Sequence, residues 1–227
     1  TTLNLYKWSG DYPGFAQIEL ENLYPEATAL FFQGAGADMN PLPRRTVPLA
    51  QQYGRELAAA VARVLNEEMK ELEPHLSTAY SEVELELTDP PTKEALTEIK
   101  NGSSTRWSLW ASEKLEQVNN GEPLRTTYPF PVQVWNLGGQ PVVALGGELL
   151  IDYAINLKRI LGQETFVLGY SNDVMAYIPS VRVIREGGYE AERSQRYTYG
   201  LPGHWKSNIE TLIISEVLKL AEETNVP

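Results

Sequence analysis

The sequence predicts an α/β fold: a mixed sheet with a βαβ unit and flanking helices. Three stretches carry that expectation. Val142–Leu145, Leu149–Leu161 and Thr165–Tyr170 read as strand, helix and strand, with Gly146-Gly147-Glu148 turning between the first two and Gly162 ending the helix. At that length the strands should lie parallel, joined by a right-handed crossover. Thr78–Leu87 alternates Val83, Leu85 and Leu87 with Glu82, Glu84 and Glu86, the pattern of a half-exposed strand that is antiparallel or at an edge. Phe130–Leu137 and Val142–Leu145, joined through Gly138-Gly139, read as a hairpin.

The remaining elements follow in chain order. Ala27–Phe32 reads as a short buried strand feeding a glycine-rich loop. Pro48 opens a helix with Leu57, Val61 and Val64 on one face; Glu67–Glu73 finishes it and Pro74 stops it. Asp89-Pro90-Pro91 breaks the chain. One or two helices lie between Thr92 and Val118, with Trp107 and Trp110 as packing aromatics, and Asn119-Asn120-Gly121 is a turn. In the βαβ helix, Leu150, Ala154, Leu157 and Leu161 face inward. Ser171–Lys206 is looser and rich in Gly, Tyr and Arg. The last helix, Ser207–Glu223, turns Ile209, Leu212, Ile213, Val217 and Leu220 inward, with Ser207 and Glu210 at capping-box spacing. No internal repeat or flexible linker interrupts the chain, so residues 1–227 are expected to form a single domain.

Composition excludes several functions. With 30 acidic and 19 basic residues the net charge is −11, which argues against non-specific nucleic-acid binding. The absence of cysteine removes disulfides, thiolate catalysis and cysteine-built zinc sites. Only His75 and His204 could contribute imidazole. The longest apolar runs, such as Ala29–Phe32 and Val142–Leu145, are far too short for a transmembrane segment. The opening TTLNLYKWSGDYPG has neither Met nor a signal pattern, and is expected to be the start of a processed or truncated piece.

In parallel α/β sheets, sites gather at the carboxyl ends of strands. Gly34–Asn40, Gly146–Glu148 and Ser171–Tyr177 qualify, and would bring together Asp38, Asn40, Glu148, Asn172, Asp173 and Tyr177. The first loop lacks the Gly-Lys-Ser/Thr ending of a phosphate cradle and the serine of a nucleophile elbow; a plain structural turn remains open. Glu148, between a buried strand and a helix, is either a first-turn cap or a metal ligand or general base. Tyr177 alone would be an ordinary packed tyrosine with a wet hydroxyl. His75 reads as a surface residue, and His204 as packing. Tyr189, Arg193, Arg196, Tyr197 and Tyr199 either line a cleft or pack the loop.

The ordered set SGDYPGFAQ (Ser9–Gln17), FFQGAGADMNP (Phe31–Pro41), GGELLIDYAINLKR (Gly146–Arg159), GYSNDVMAYIPS (Gly169–Ser180) and GGYEAER (Gly187–Arg193) resembles the downstream part of the catalytic domain of the neutral/alkaline, non-lysosomal ceramidases. It runs through nearly the whole chain in the family's order. The resemblance implies a fragment of a larger catalytic domain that hydrolyses an N-acyl (sphingo)lipid or related amide, secreted or periplasmic. It implies a zinc ion, with Glu148 and Tyr177 as ligands here and histidine ligands upstream of residue 1. It also implies catalytic roles for Asp38 and Asn40, and substrate contacts at Gly36, Asn172 and Tyr189. Asn40 stands where the family has its serine, so an acyl-serine route is closed and metal-activated water is left. The family's Arg-Tyr pair beyond Tyr189 is replaced here by Arg193-Ser194, unless a small insertion brings Arg196-Tyr197 into register. The alternative expectation is a non-catalytic ceramidase-like binding or assembly domain.

Overall fold

Leu76–Glu86 (β1), with its alternating apolar and acidic side chains, lies at one edge of a four-stranded sheet that continues through Thr127–Leu137 (β2), Gln140–Leu145 (β3) and Phe166–Leu168 (β5) in that order. The structure, a computed structural model, describes residues 1–102 and 104–226. The fold is α/β with a mixed sheet, and contacts divide the chain into two units. One holds Thr1–Gln33 and Met39–Glu71; the other holds Gly34–Asp38 and Leu72–Pro227.

In the larger unit, β1 pairs antiparallel with Thr127–Leu137 (β2), with Val83 opposite Phe130 and Leu85 opposite Tyr128. The expected hairpin then joins β2 to Gln140–Leu145 (β3). Gly138 and Gly139 form its turn at φ +58° and +94°, the left-handed region that favours glycine. The expected βαβ unit is also present. Helix α5 (Ile151–Leu161) carries the chain from β3 to Phe166–Leu168 (β5), which runs parallel to β3 with Val143 opposite Val167. The α5 helix ends at Gly162, φ +103°.

Leu85, Phe130, Leu145, Tyr153, Leu157, Trp205, Ile209, Ile213 and Val217 are buried in one continuous core. Burying each large apolar side chain stabilises the fold by about 1.5–3 kcal/mol. Helix α8 (Ile209–Glu223) supplies Ile209, Ile213, Val217 and Leu220 at the helical period, as its sequence pattern requires. Its expected capping box does not form. Asn208 occupies the cap position, and the Glu210 carboxylate instead accepts from Val181 N at 2.6 Å and Asn156 Nδ2 at 2.9 Å. A carboxylate able to satisfy an otherwise unpaired amide on another element gains more there than in a local cap. The far end of α8 is tied to the hairpin by Asn136. Its Nδ2 donates to Thr224 O and Asn225 O at 3.0 and 2.8 Å, and its Oδ1 accepts from Gly139 N at 2.8 Å.

Two helices do occupy the stretch after Asp89-Pro90-Pro91: α3 (Lys93–Gly102) and α4 (Thr105–Asn119). Leu96, Trp110, Ala111 and Leu115 form a satellite core there, and Trp107 packs edge-on to Trp110 with centroids 5.6 Å apart. The looser Ser171–Lys206 region contains a two-residue strand, Tyr177–Ile178 (β6), then α6 (Val181–Glu186), a π-helical turn (Tyr189–Arg193) and α7 (Ser194–Tyr197).

The smaller unit contains α1 (Asp11–Leu23) and α2 (Val47–Leu65). Thr46 caps α2 by accepting from Leu49 N at 3.3 Å, and Pro48 lies in its first turn. Three expectations fail here. The buried stripe of α2 is Ala50, Gly54 and Ala58, whereas Val64 is exposed. Close helix approach selects this small-residue stripe: a Cβ on Gly54 would lie 2.5 Å from Phe15 Cβ and 2.9 Å from Ala16 N. The helix also ends at Leu65 and does not continue through Glu73; the acids Glu67, Glu68, Glu71 and Glu73 would sit at the negative end of its dipole. Finally, Ala27–Phe32 is no strand. It is an extended segment with Leu30, Phe31 and Phe32 exposed, held to α1 by Gln17 Nε2 donating to Ala29 O at 2.8 Å. Tyr12 packs edge-on to Phe31 at 5.9 Å.

Candidate functional site

Beyond β3 the chain turns sharply at Gly146 and Gly147. Gly147 has φ +67°, and a Cβ there would lie 2.4 Å from Ile178 Cγ1 and 2.8 Å from Ala176 O. Only glycine lets the two segments approach so closely. Gly147 N donates to Asp173 O and Glu148 N to Ala176 O, both at 2.8 Å. Glu148–Leu149 (β4) then runs parallel to β6, with Glu148 directly opposite Tyr177 and Leu149 opposite Ile178. The sequence reading treats residues 146–148 as a turn and Tyr177 as a loop residue; pairing between segments that distant in sequence is invisible to local periodicity.

Glu148 is half-buried. Tyr170 Oη donates to its Oε2 at 3.1 Å, and the Tyr177 phenol interacts with the same carboxylate. Burial pushes the Glu148 carboxyl above its usual value, the two phenols pull against that, and Glu190 adds a smaller upward push. Tyr170 and Tyr177 are both driven well above the usual phenol range, first by burial and then by the charge of Glu148. Two phenols and a carboxylate crowded together and partly desolvated hold their protons more tightly, and a bound cation would reverse that tendency.

Asp38 lies close enough to add to the upward push on Tyr170, but its Oδ1 accepts from Ile151 N at 3.0 Å. Leu150, the residue at the cap position of α5, has no side chain able to do this, so Asp38 caps α5 from a distance in sequence. Gly36 is in the same loop, which is anchored by Ala37 N donating to Leu149 O at 3.2 Å and by a bridge between Gly34 and Leu168. Tyr189 packs edge-on to Tyr177 with centroids 5.6 Å apart, and Tyr199 does so at 6.1 Å. Thus Asp38, Glu148, Tyr177 and Tyr189 gather with the Gly36 loop.

Two other expected members of the larger unit lie elsewhere in it. Asn172, at φ +66°, directs its Nδ2 to Gln133 Oε1 at 3.4 Å. Asp173 accepts from Tyr128 Oη at 2.9 Å. Both line a separate cleft of about 420 Å³ over β1 and β2, with Tyr80 and Arg125. The positive φ values of Tyr170 and Asn172 turn the chain between these two destinations, and nothing in a residue pattern announces that reversal. Asn40 is an exposed residue of the smaller unit. Tyr170, which sequence reasoning took only as the end of a strand, makes the direct hydrogen bond to Glu148. Its sole sequence signal is its place at the head of the Tyr-Ser-Asn-Asp turn.

His75 is exposed. His204 is partly buried, and burial together with the Arg196 guanidinium holds its pKa below the usual imidazole value. Among the described residues, no group of three or more His, Asp or Glu could hold a metal ion. Glu148 and Tyr177 place one carboxylate and one phenol at paired backbone positions. No described helix is long and apolar enough to cross a membrane. No protein-family model and no curated protein matches the chain.

Proposed function

We propose that this chain is the part of a zinc-dependent amide hydrolase of ceramidase type that contributes Glu148 and Tyr177 to the metal, and that it acts on an N-acyl lipid or a related amide. The observation that carries the reading is the direct pairing of Glu148 with Tyr177 across the β4–β6 ribbon. The half-buried Glu148 carboxyl is raised by burial, the Tyr177 phenol is raised by burial and by the Glu148 charge, and a divalent cation would stabilise both as an oxygen donor pair. Zinc takes four ligands or three plus water; the sequence resemblance assigns the remaining places to histidines outside these 227 residues. When bound, zinc lowers the pKa of its water to about 7 and polarises a carbonyl.

The chain's own residues have defined tasks. Tyr170 Oη holds Glu148 Oε2 in place. Asp38 fixes the start of α5, and with it the residues that follow Glu148. Tyr177, Tyr189 and Tyr199 offer aromatic surface beside the donor pair, suited to an acyl chain or another apolar group. That same wall favours a second reading, a ceramidase-like binding or assembly domain without catalysis.

Zinc analysis of the protein carrying its upstream histidine segment, beside the Glu148→Ala variant, tests the proposal. The variant should lose bound zinc together with chelator-sensitive hydrolysis of N-acyl amides. Unchanged zinc content would sink the assignment; binding of N-acyl amides without hydrolysis would select the second reading.

A further inference from the structure

Within the aromatic and basic run Arg193–Tyr199, Tyr199 borders the Glu148 site. Arg196 and Tyr197 instead turn toward α4 and close a cleft of about 550 Å³, lined by Arg106, Trp110, Glu113, Arg196, Tyr197 and Tyr199. That volume lies within the range of small-molecule sites. The guanidinium of Arg196 stands 5.8 Å from the Trp110 ring centroid, and that of Arg106 stands 5.9 Å from the Tyr197 centroid. Neither arginine forms an ion pair among the described residues. The Nε of Arg196 is buried without a hydrogen-bond partner among the described residues, and a charged donor left so is destabilising until something accepts from it. The aromatic walls are fixed: Trp110 Nε1 donates to Leu201 O at 3.0 Å, and Trp107 braces Tyr197 with centroids 5.2 Å apart.

We propose that this cleft binds a small organic carboxylate with an aromatic or apolar body. Two uncommitted guanidiniums in a chain of net charge −11 mark a local site for an anion. A planar carboxylate matches the guanidinium fork. Glu113 on the lining, and Glu192 near Arg196, disfavour a dianion such as phosphate. Trp110, Tyr197 and Tyr199 provide the surface for the ligand's body. The cleft is assigned independently of the metal reading.

Titration calorimetry of the 227-residue chain in the presence of a chelator tests the assignment, and its outcome does not depend on zinc. Benzoate should bind with a Kd of about 1 mM or tighter, while benzyl alcohol, of the same shape without charge, should not. Arg196→Gln should weaken benzoate about tenfold, and the exposed Arg106→Gln about threefold. Equal binding of benzoate and benzyl alcohol would overturn the proposal, as would tighter binding of inorganic phosphate. Arg196→Gln removes a partly buried group and risks the fold; Arg106→Gln is the safeguard. An Arg106→Gln protein with unchanged Tm and unchanged benzoate affinity would also overturn it.

Discussion

Glu148 and Tyr177 are register partners in a parallel two-residue ribbon, although α5 and β5 lie between them in the chain. The carboxylate is half-buried and tied to Tyr170. Its titration is the most direct handle on the site.

A carboxyl whose folded pKa lies above its unfolded value binds protons more tightly in the native state. Ionising Glu148 therefore lowers stability as pH rises from the ordinary carboxylate range through the raised folded value, and carries no penalty below that range. Glu148→Gln should raise Tm at neutral pH by about 1–2 °C, a small gain because the group is half exposed to solvent screening. The gain should vanish below about pH 4. Thermal melts at the two pH values check this; an equal shift at both would contradict it.

Tyr170→Phe removes the donor to Oε2, and that hydrogen bond pulls the Glu148 pKa down. Carboxyl-carbon NMR titration should show Glu148 moving further upward, with a stability change below about 1 kcal/mol. A downward move would mean that the phenol does not stabilise the anion.

Gly147→Ala and Gly162→Ala separate steric clash from backbone strain. Both glycines have positive φ, but a Cβ at Gly147 collides with Ile178 and Ala176, while one at Gly162 meets nothing within 4 Å. Gly162→Ala should cost about 1–2 kcal/mol from strain alone. Gly147→Ala should exceed it, at about 3–4 kcal/mol, because β4 must move away from β6. Urea midpoints compare the two directly, and equal losses would refute the clash.

Asn136→Ala should destabilise the larger unit by about 2–3 kcal/mol. It strands the Gly139 amide and removes the donors to Thr224 O and Asn225 O at a buried position. Hydrogen exchange should quicken at Gly139 and at the end of α8; protection unchanged at both would show the network to be dispensable.

Much of the larger unit was legible. The alternation through Glu82–Leu87, the Gly138-Gly139 turn and the strand–helix–strand run of Val142–Leu168 are local patterns, and each appears where its period indicates. The candidate site was legible in part. Glu148 and Tyr177 were picked out by motif, yet their pairing, the hydrogen bond from Tyr170 and the diversion of Asn172 toward Gln133 were not. The α2 stripe of Ala50, Gly54 and Ala58 was hidden because hydrophobic periodicity gives weight to large residues, whereas two helix backbones in close contact select small ones.

Local chain chemistry by itself determined the strand periods of the larger unit and the positions of α5 and α8, because each depends on residues a few positions apart. Tertiary structure alone decided which side chains meet. Tyr170 reaches Glu148 through a left-handed backbone turn, Asp38 caps a helix more than a hundred residues downstream (Ile151), and Arg196 lies over the Trp110 ring. Those outcomes depend on register, close approach and desolvation between distant segments, and these take definite values only once the core has closed around them.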